Sequence, residues 1–157
     1  TLFRSLSASA VKFNLGDDPA LAQVHIDNLT AWRELLPADC RLLCECHPGT
    51  ILEEPERAAK ILAPLQDIEI IVHAFSGDDD TVLQRWLEAF GPAVTHIHGV
   101  LKDRSHVPGR IDILRSAGFS GTCSIEFCEG VAQPPEDMSR LLATAADDLH
   151  YLRKELA

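Results

Sequence analysis

The 157-residue sequence is short of basic side chains, with 14 Lys and Arg against 24 Asp and Glu and a formal net charge of −10. Such a field repels phosphate backbones, and no local Lys/Arg cluster overcomes it, so nucleic acid is not the expected partner. Long apolar runs are missing too. None approaches the roughly 18 to 20 residues of a membrane span, and the first residues lack a charged region followed by a long apolar core, so neither an anchor nor a signal peptide is expected. No GxGxxG or P-loop pattern follows the first apolar run, which removes the common nucleotide cradles. There is no initiator Met, which predicts a fragment or a processed product.

CxxC pairs are absent as well, and the five cysteines (Cys40, Cys44, Cys46, Cys123 and Cys128) are odd in number. Cys44 and Cys46 flank Glu45 and on a strand point away from it, so they are expected to be small buried apolar residues rather than ligands. That usage favours a reducing, cytoplasmic setting.

What the sequence does contain is alternation. Apolar runs at residues 9–16, 41–47, 68–75, 93–100 and 121–127 are each followed by a turn and an amphipathic segment, the pattern of βα units. The runs are nearly continuous, as expected of parallel strands covered on both faces. Helices are predicted from Pro19 with Leu21, Val24, Leu29, Trp32 and Leu36 on or near one face, from Pro55 with Ala58, Ile61, Leu62 and Leu65, over Val82 to Phe90 around Trp86, from Arg110 to a C-cap at Gly118, and from Pro135 to Leu156. Nothing breaks the chain, so residues 1–157 read as one domain. A doubly wound sheet and part of a (β/α)8 barrel both fit, and a whole barrel takes about 250 residues.

Four of the runs end in chemistry. Glu45, His73, His98 and Glu126 are separated by 28, 25 and 28 residues, each close to one βα repeat. Parallel strands with right-handed crossovers bring their carboxyl ends to one rim, where such side chains converge. Two carboxylates and two imidazoles about one point are costly without a cation, and the mixed set suits Mn²⁺, Co²⁺, Zn²⁺ or Fe²⁺ better than Ca²⁺. His96 shares the strand face of His98 and is expected one layer deeper; His47 either lines the pocket above Glu45 or bonds within its loop; His25 and His150 fall on helices and are expected at the surface.

These motifs resemble the xylose isomerase-like superfamily of TIM barrels, which includes sugar phosphate isomerases and epimerases and the family 2 AP endonucleases. "LLCECHPGT" is similar to its fourth-strand motif, "HIHGVLKD" to its sixth-strand signature, and "IDILRSAGFSGTCSIEF" to its closing segment. The resemblance implies an incomplete (β/α)8 barrel, the third to eighth βα units, whose open edges would be covered by missing strands or by a second copy in a homo-oligomer. It also implies one divalent metal ion (Mn, Co, Zn or Mg) held by Glu45, His98 and Glu126, with His73 standing where the family has Asp. That exchange keeps a ligand atom and removes a negative charge. The implied activity is isomerisation or epimerisation of a sugar or sugar phosphate through an enediolate, with Glu45 and Glu126 moving the proton and His47, Lys102 and Arg104 holding the substrate. A non-catalytic barrel relative that binds a small molecule or a partner, and an AP endonuclease-type phosphodiesterase, are the alternatives; the second needs more ligands and a basic face.

Overall fold

The computed structural model describes residues 9–65, 67–77, 79–101, 103–126 and 137–156. Strands β1 (Ala10–Phe13), β2 (Arg41–Glu45), β3 (Ile68–His73), β4 (Val94–Gly99) and β5 (Thr122–Ile125) form one parallel sheet in sequential order. Helices α1 (Ala22–Leu35), α2 (Pro55–Leu62), α3 (Asp80–Phe90), α4 (Val107–Ser116) and α5 (Met138–Leu156) follow the strands in turn. The sheet is curled as half a barrel.

This corrects the expected architecture. An incomplete (β/α)8 barrel carrying the third to eighth βα units calls for six strands, whereas the described residues form a small α/β domain with five. Closing a barrel requires the first and last strands to pair. Here, among the described residues, β1 pairs only with β2 and β5 only with β4. The reason is visible in the chain: it holds five apolar runs, and none of them is spare for a sixth strand.

Covering is also one-sided. Leu42, Cys44, Cys46, Ile70, Val72, Val94 and Ile97 face the helices and build the core with Ile26, Leu29, Ala58, Leu62, Leu83, Trp86, Ile111, Leu114 and Leu152. The alternate positions, Lys12, Arg41, Glu45, Glu69, His73, His96, His98 and Ser124, carry polar groups on the opposite, concave side, as period-two alternation dictates. Cys44 and Cys46 lie in the core as anticipated. A hydrogen bond with Cys46 and then burial drive the Cys44 thiol far above its ordinary range, and burial pushes Cys123 up to about 11, so both stay protonated at neutral pH.

Of the residues predicted inward on and around helix α1, Leu29 is buried and Leu36 packs against the core, but the rest of the stripe is rotated. Ile26 and Leu29 are buried, while Leu21, Val24 and Trp32 are exposed, because Ile26 and Leu29 lie three apart on the stripe that meets the sheet. Trp86 on α3 sits inside as expected, stacked on Phe90. Asp79 caps α3 by accepting from the Thr81 backbone N–H at 2.9 Å, and Gly118 ends the α4 segment at a φ of 70°.

One irregularity decides which residues reach the concave side. The β3–β4 pairing shifts between Ile70 and Ile71: Ile70 is opposite Val94, but Ile71 is opposite His96, so Thr95 is an extra residue in β4. Such a bulge re-aims every side chain beyond it. Without it Ile97 would stand opposite His73; with it His98 does. Gly121 beside the bulge is required, since a Cβ there would lie 2.1 Å from the Thr95 carbonyl oxygen.

Candidate metal centre

Glu45 ends β2, His73 ends β3, His98 is the penultimate residue of β4, and Glu126 follows β5, with its backbone N–H held by the Gly99 carbonyl at 2.9 Å. One ligand atom from each of the four lies within 4.8 Å of the other three. The regular βα spacing therefore brings together the whole predicted set.

The contacts within the set are close. His73 Nε2 is 3.2 Å and His98 Nδ1 2.9 Å from Glu45 Oε1, while His73 Nδ1 is 3.4 Å and His98 Nδ1 3.3 Å from Glu126 Oε2. Glu45 is only 1% exposed and His98 8%. Yet His98 Nδ1 has no hydrogen-bond partner among the described residues, although two carboxylates surround it. An orphaned buried nitrogen costs about 1–3 kcal/mol. A cation among these four atoms gives it a partner and offsets the repulsion of the two carboxylates, so the donor set fits a divalent metal.

Lys12 completes the site and was not singled out from the sequence. Its Nζ lies 2.5 Å from Glu45 Oε2. The contact is a close ion pair between β1 and β2. Burial pushes the Glu45 carboxyl upward, but the Lys12 ammonium, helped by His98 and His73, outweighs it and holds the group below its ordinary range. Burial lowers His73 despite the pull of Glu126 in the other direction, which leaves the imidazole neutral and able to ligate.

Both shifts have the same consequence in acid. The folded metal-free protein binds fewer protons than the unfolded chain below the ordinary value of 6.5 for His73, and again below 4.5 for Glu45. Stability present above about pH 6.5 is therefore lost progressively as the pH falls. The urea midpoint should decrease from about pH 7.5 to 5.5 and further to 4.5. A midpoint that rose on acidification would contradict this.

The remaining candidates fall as follows. The His47 ring stands edge-on to His73 at 5.2 Å, and its Nδ1–H donates to the Pro48 carbonyl at 2.6 Å, so it both lines the site and bonds in its own loop. His96 lies one layer deeper, 5.3 Å from the His98 ring, bridging the hydroxyls of Thr122 (2.7 Å) and Ser124 (3.0 Å). Arg104 is engaged elsewhere: its Nη2 donates to Asp147 at 2.6 Å and Asp148 at 2.5 Å, and its guanidinium lies 4.7 Å over the Tyr151 ring, which fastens the β4–α4 loop to α5. To hold substrate it would have to leave two carboxylates. Lys102 lies outside the described residues. His150 is exposed as expected, whereas His25 is half-buried, its Nε2 without a hydrogen-bond partner among the described residues.

A separate cleft of about 430 Å³ opens at the amino ends of the strands, lined by Arg41, Thr95, Gly121 and Thr122 among others. It lies at the other end of the sheet from the four ligands. Among the described residues no helix is long and apolar enough to cross a membrane. No protein-family model matches the sequence, and no curated protein matches it.

Proposed function

We propose that this protein binds one divalent metal ion through Glu45, His73, His98 and Glu126 and acts as an isomerase or epimerase on a small hydroxy-carbonyl compound of the sugar or sugar phosphate class. The observation that carries the reading is the convergence of these four ligand atoms within 4.8 Å at the carboxyl ends of adjacent strands, with His98 Nδ1 buried between two carboxylates and without a hydrogen-bond partner among the described residues. Such a metal, when bound, supplies Lewis acidity for a carbonyl or hydroxyl oxygen.

The chain's own residues divide the remaining work. Glu45, 1% exposed and ion-paired with Lys12, is fixed as a ligand. Glu126, at 18%, is open to the concave side and is the carboxylate placed to take a proton from the carbon beside the carbonyl and return it. The net charge of −10 favours a small molecule over nucleic acid, and the free thiols of Cys40, Cys44, Cys46 and Cys123 favour a reducing, cytoplasmic compartment.

The test is solvent exchange. Ketoses and ketose phosphates incubated with Mn²⁺-loaded protein in D₂O should take up deuterium next to the carbonyl, read by proton NMR. Glu126→Gln should slow uptake at least about 100-fold, the ordinary contribution of a positioned acid or base. Full metal loading with no exchange in any substrate would contradict the isomerase reading and leave a metal-binding protein.

A further inference from the structure

The two oxygens of Glu45 have different tasks. Oε1 faces both imidazoles, at 3.2 Å from His73 and 2.9 Å from His98, whereas Oε2 faces Lys12 at 2.5 Å. The ammonium therefore does not stand among the four ligand atoms; it flanks them from β1. Its side chain is 45% exposed on the concave side, and an ammonium has three donors, so it is not consumed by its carboxylate partner.

Charge arithmetic follows. A divalent ion cancels the two carboxylates, the imidazoles contribute none when neutral, and Lys12 leaves an excess of +1. Glu69, deeper on the same side, does not remove it, since it is paired with Arg41 at 3.0 Å and also accepts from Thr95. Excess charge in a half-buried centre is costly until an opposite charge arrives. An uncharged polyol cannot supply one; a carboxylate can.

We infer that Lys12 is a specificity-determining residue that selects an anionic substrate, a 2-hydroxy or 2-oxo carboxylate, over an uncharged sugar. The inference rests on the metal reading above and narrows its substrate class to sugar acids, whose single carboxylate matches the excess of +1 that an uncharged sugar leaves standing and a phosphate dianion overshoots. The carboxylate would bind beside the ammonium, and Glu126, 18% exposed on the same concave side, would keep its role toward the proton-bearing carbon beside the carbonyl.

The experiment uses Co²⁺-loaded protein, with loading read by visible absorption, and calorimetric titration with glycolate, ethylene glycol and inorganic phosphate. Wild type and Lys12→Arg should bind glycolate at least about tenfold more tightly than ethylene glycol, and Lys12→Met should lose about that factor for glycolate alone. Should Lys12→Met not fold by circular dichroism, Lys12→Gln carries the same comparison. Glycolate binding that is unchanged without the Lys12 charge would overturn the inference, as would a Lys12-dependent gain for phosphate but not for glycolate. Failure of the wild type to take up Co²⁺ would overturn the metal reading and this inference together, whereas uptake with charge-blind binding overturns this inference alone.

Discussion

Replacing His98 with Ala is expected to weaken divalent metal binding by more than about 100-fold, since loss of an outer hydrogen-bond partner alone costs 10- to 100-fold and His98 is a direct donor. His98 is the hub of the centre. Its Nδ1 lies 2.9 Å from a Glu45 oxygen and 3.3 Å from a Glu126 oxygen, whereas His73 reaches the two carboxylates with different ring nitrogens. Truncation takes away the buried nitrogen and leaves two carboxylates facing each other across a gap. The loss should appear in a competition titration against a chromophoric chelator, with circular dichroism confirming the fold. An affinity within threefold of wild type would place the metal elsewhere.

Trp86→Ala is expected to lower stability by about 3–5 kcal/mol, a large part of the roughly 5–15 kcal/mol of a typical domain. Trp86 is 6% exposed, lies between α3 and the convex face of the sheet, and stacks on Phe90 with centroids 5.7 Å apart. Its removal leaves a cavity that neighbouring strands cannot close. Trp32→Ala provides the contrast: that ring is 48% exposed and meets the Phe13 ring edge-on at 6.4 Å, so its loss should cost about 0.5–1.5 kcal/mol. Urea denaturation separates the two. Equal shifts for both tryptophans would show that burial on α3 has been misassigned.

The ligand set was legible in the sequence because each member closes an apolar run and the runs recur at the βα period. Periodicity could not show how the fourth member arrives. Strict alternation puts His98 on the concave face only if β3 and β4 are out of step by one residue, and that offset is the extra Thr95, a local event with no composition signal beyond the glycine at 121. Lys12 escaped for a related reason. A single lysine in a short strand reads as a solvated side chain, and its partner Glu45 lies 33 positions away, reached only through the β1–β2 register that sets Lys12 against Leu43. Arg104 has partners that local pattern could not show either: its position after His98 suggested the substrate, and Asp147 and Asp148 on α5, far along the chain, pair with it.

The fold was legible as far as local pattern reaches. Five strands and their helices follow from hydropathy and turn residues, whereas barrel closure depends on whether two distant edges meet, and the resemblance to a closed family overrode the plain count of five runs. The both-sides-covered reading failed on the same ground. Nearly continuous apolar runs concealed the alternate polar positions at 12, 41, 45, 69, 73, 96 and 98, which the curled sheet gathers on its concave side.

The most direct test of the central claim is elemental analysis of purified protein, wild type beside His98→Ala, after exposure to Mn²⁺, Co²⁺ and Zn²⁺ and removal of free ion by gel filtration. The four-ligand centre predicts about one ion per chain in the wild type, the single shared site of a tetrad with mixed N and O donors, and little or none in the variant. Equal metal in both proteins, or none in either, would contradict it.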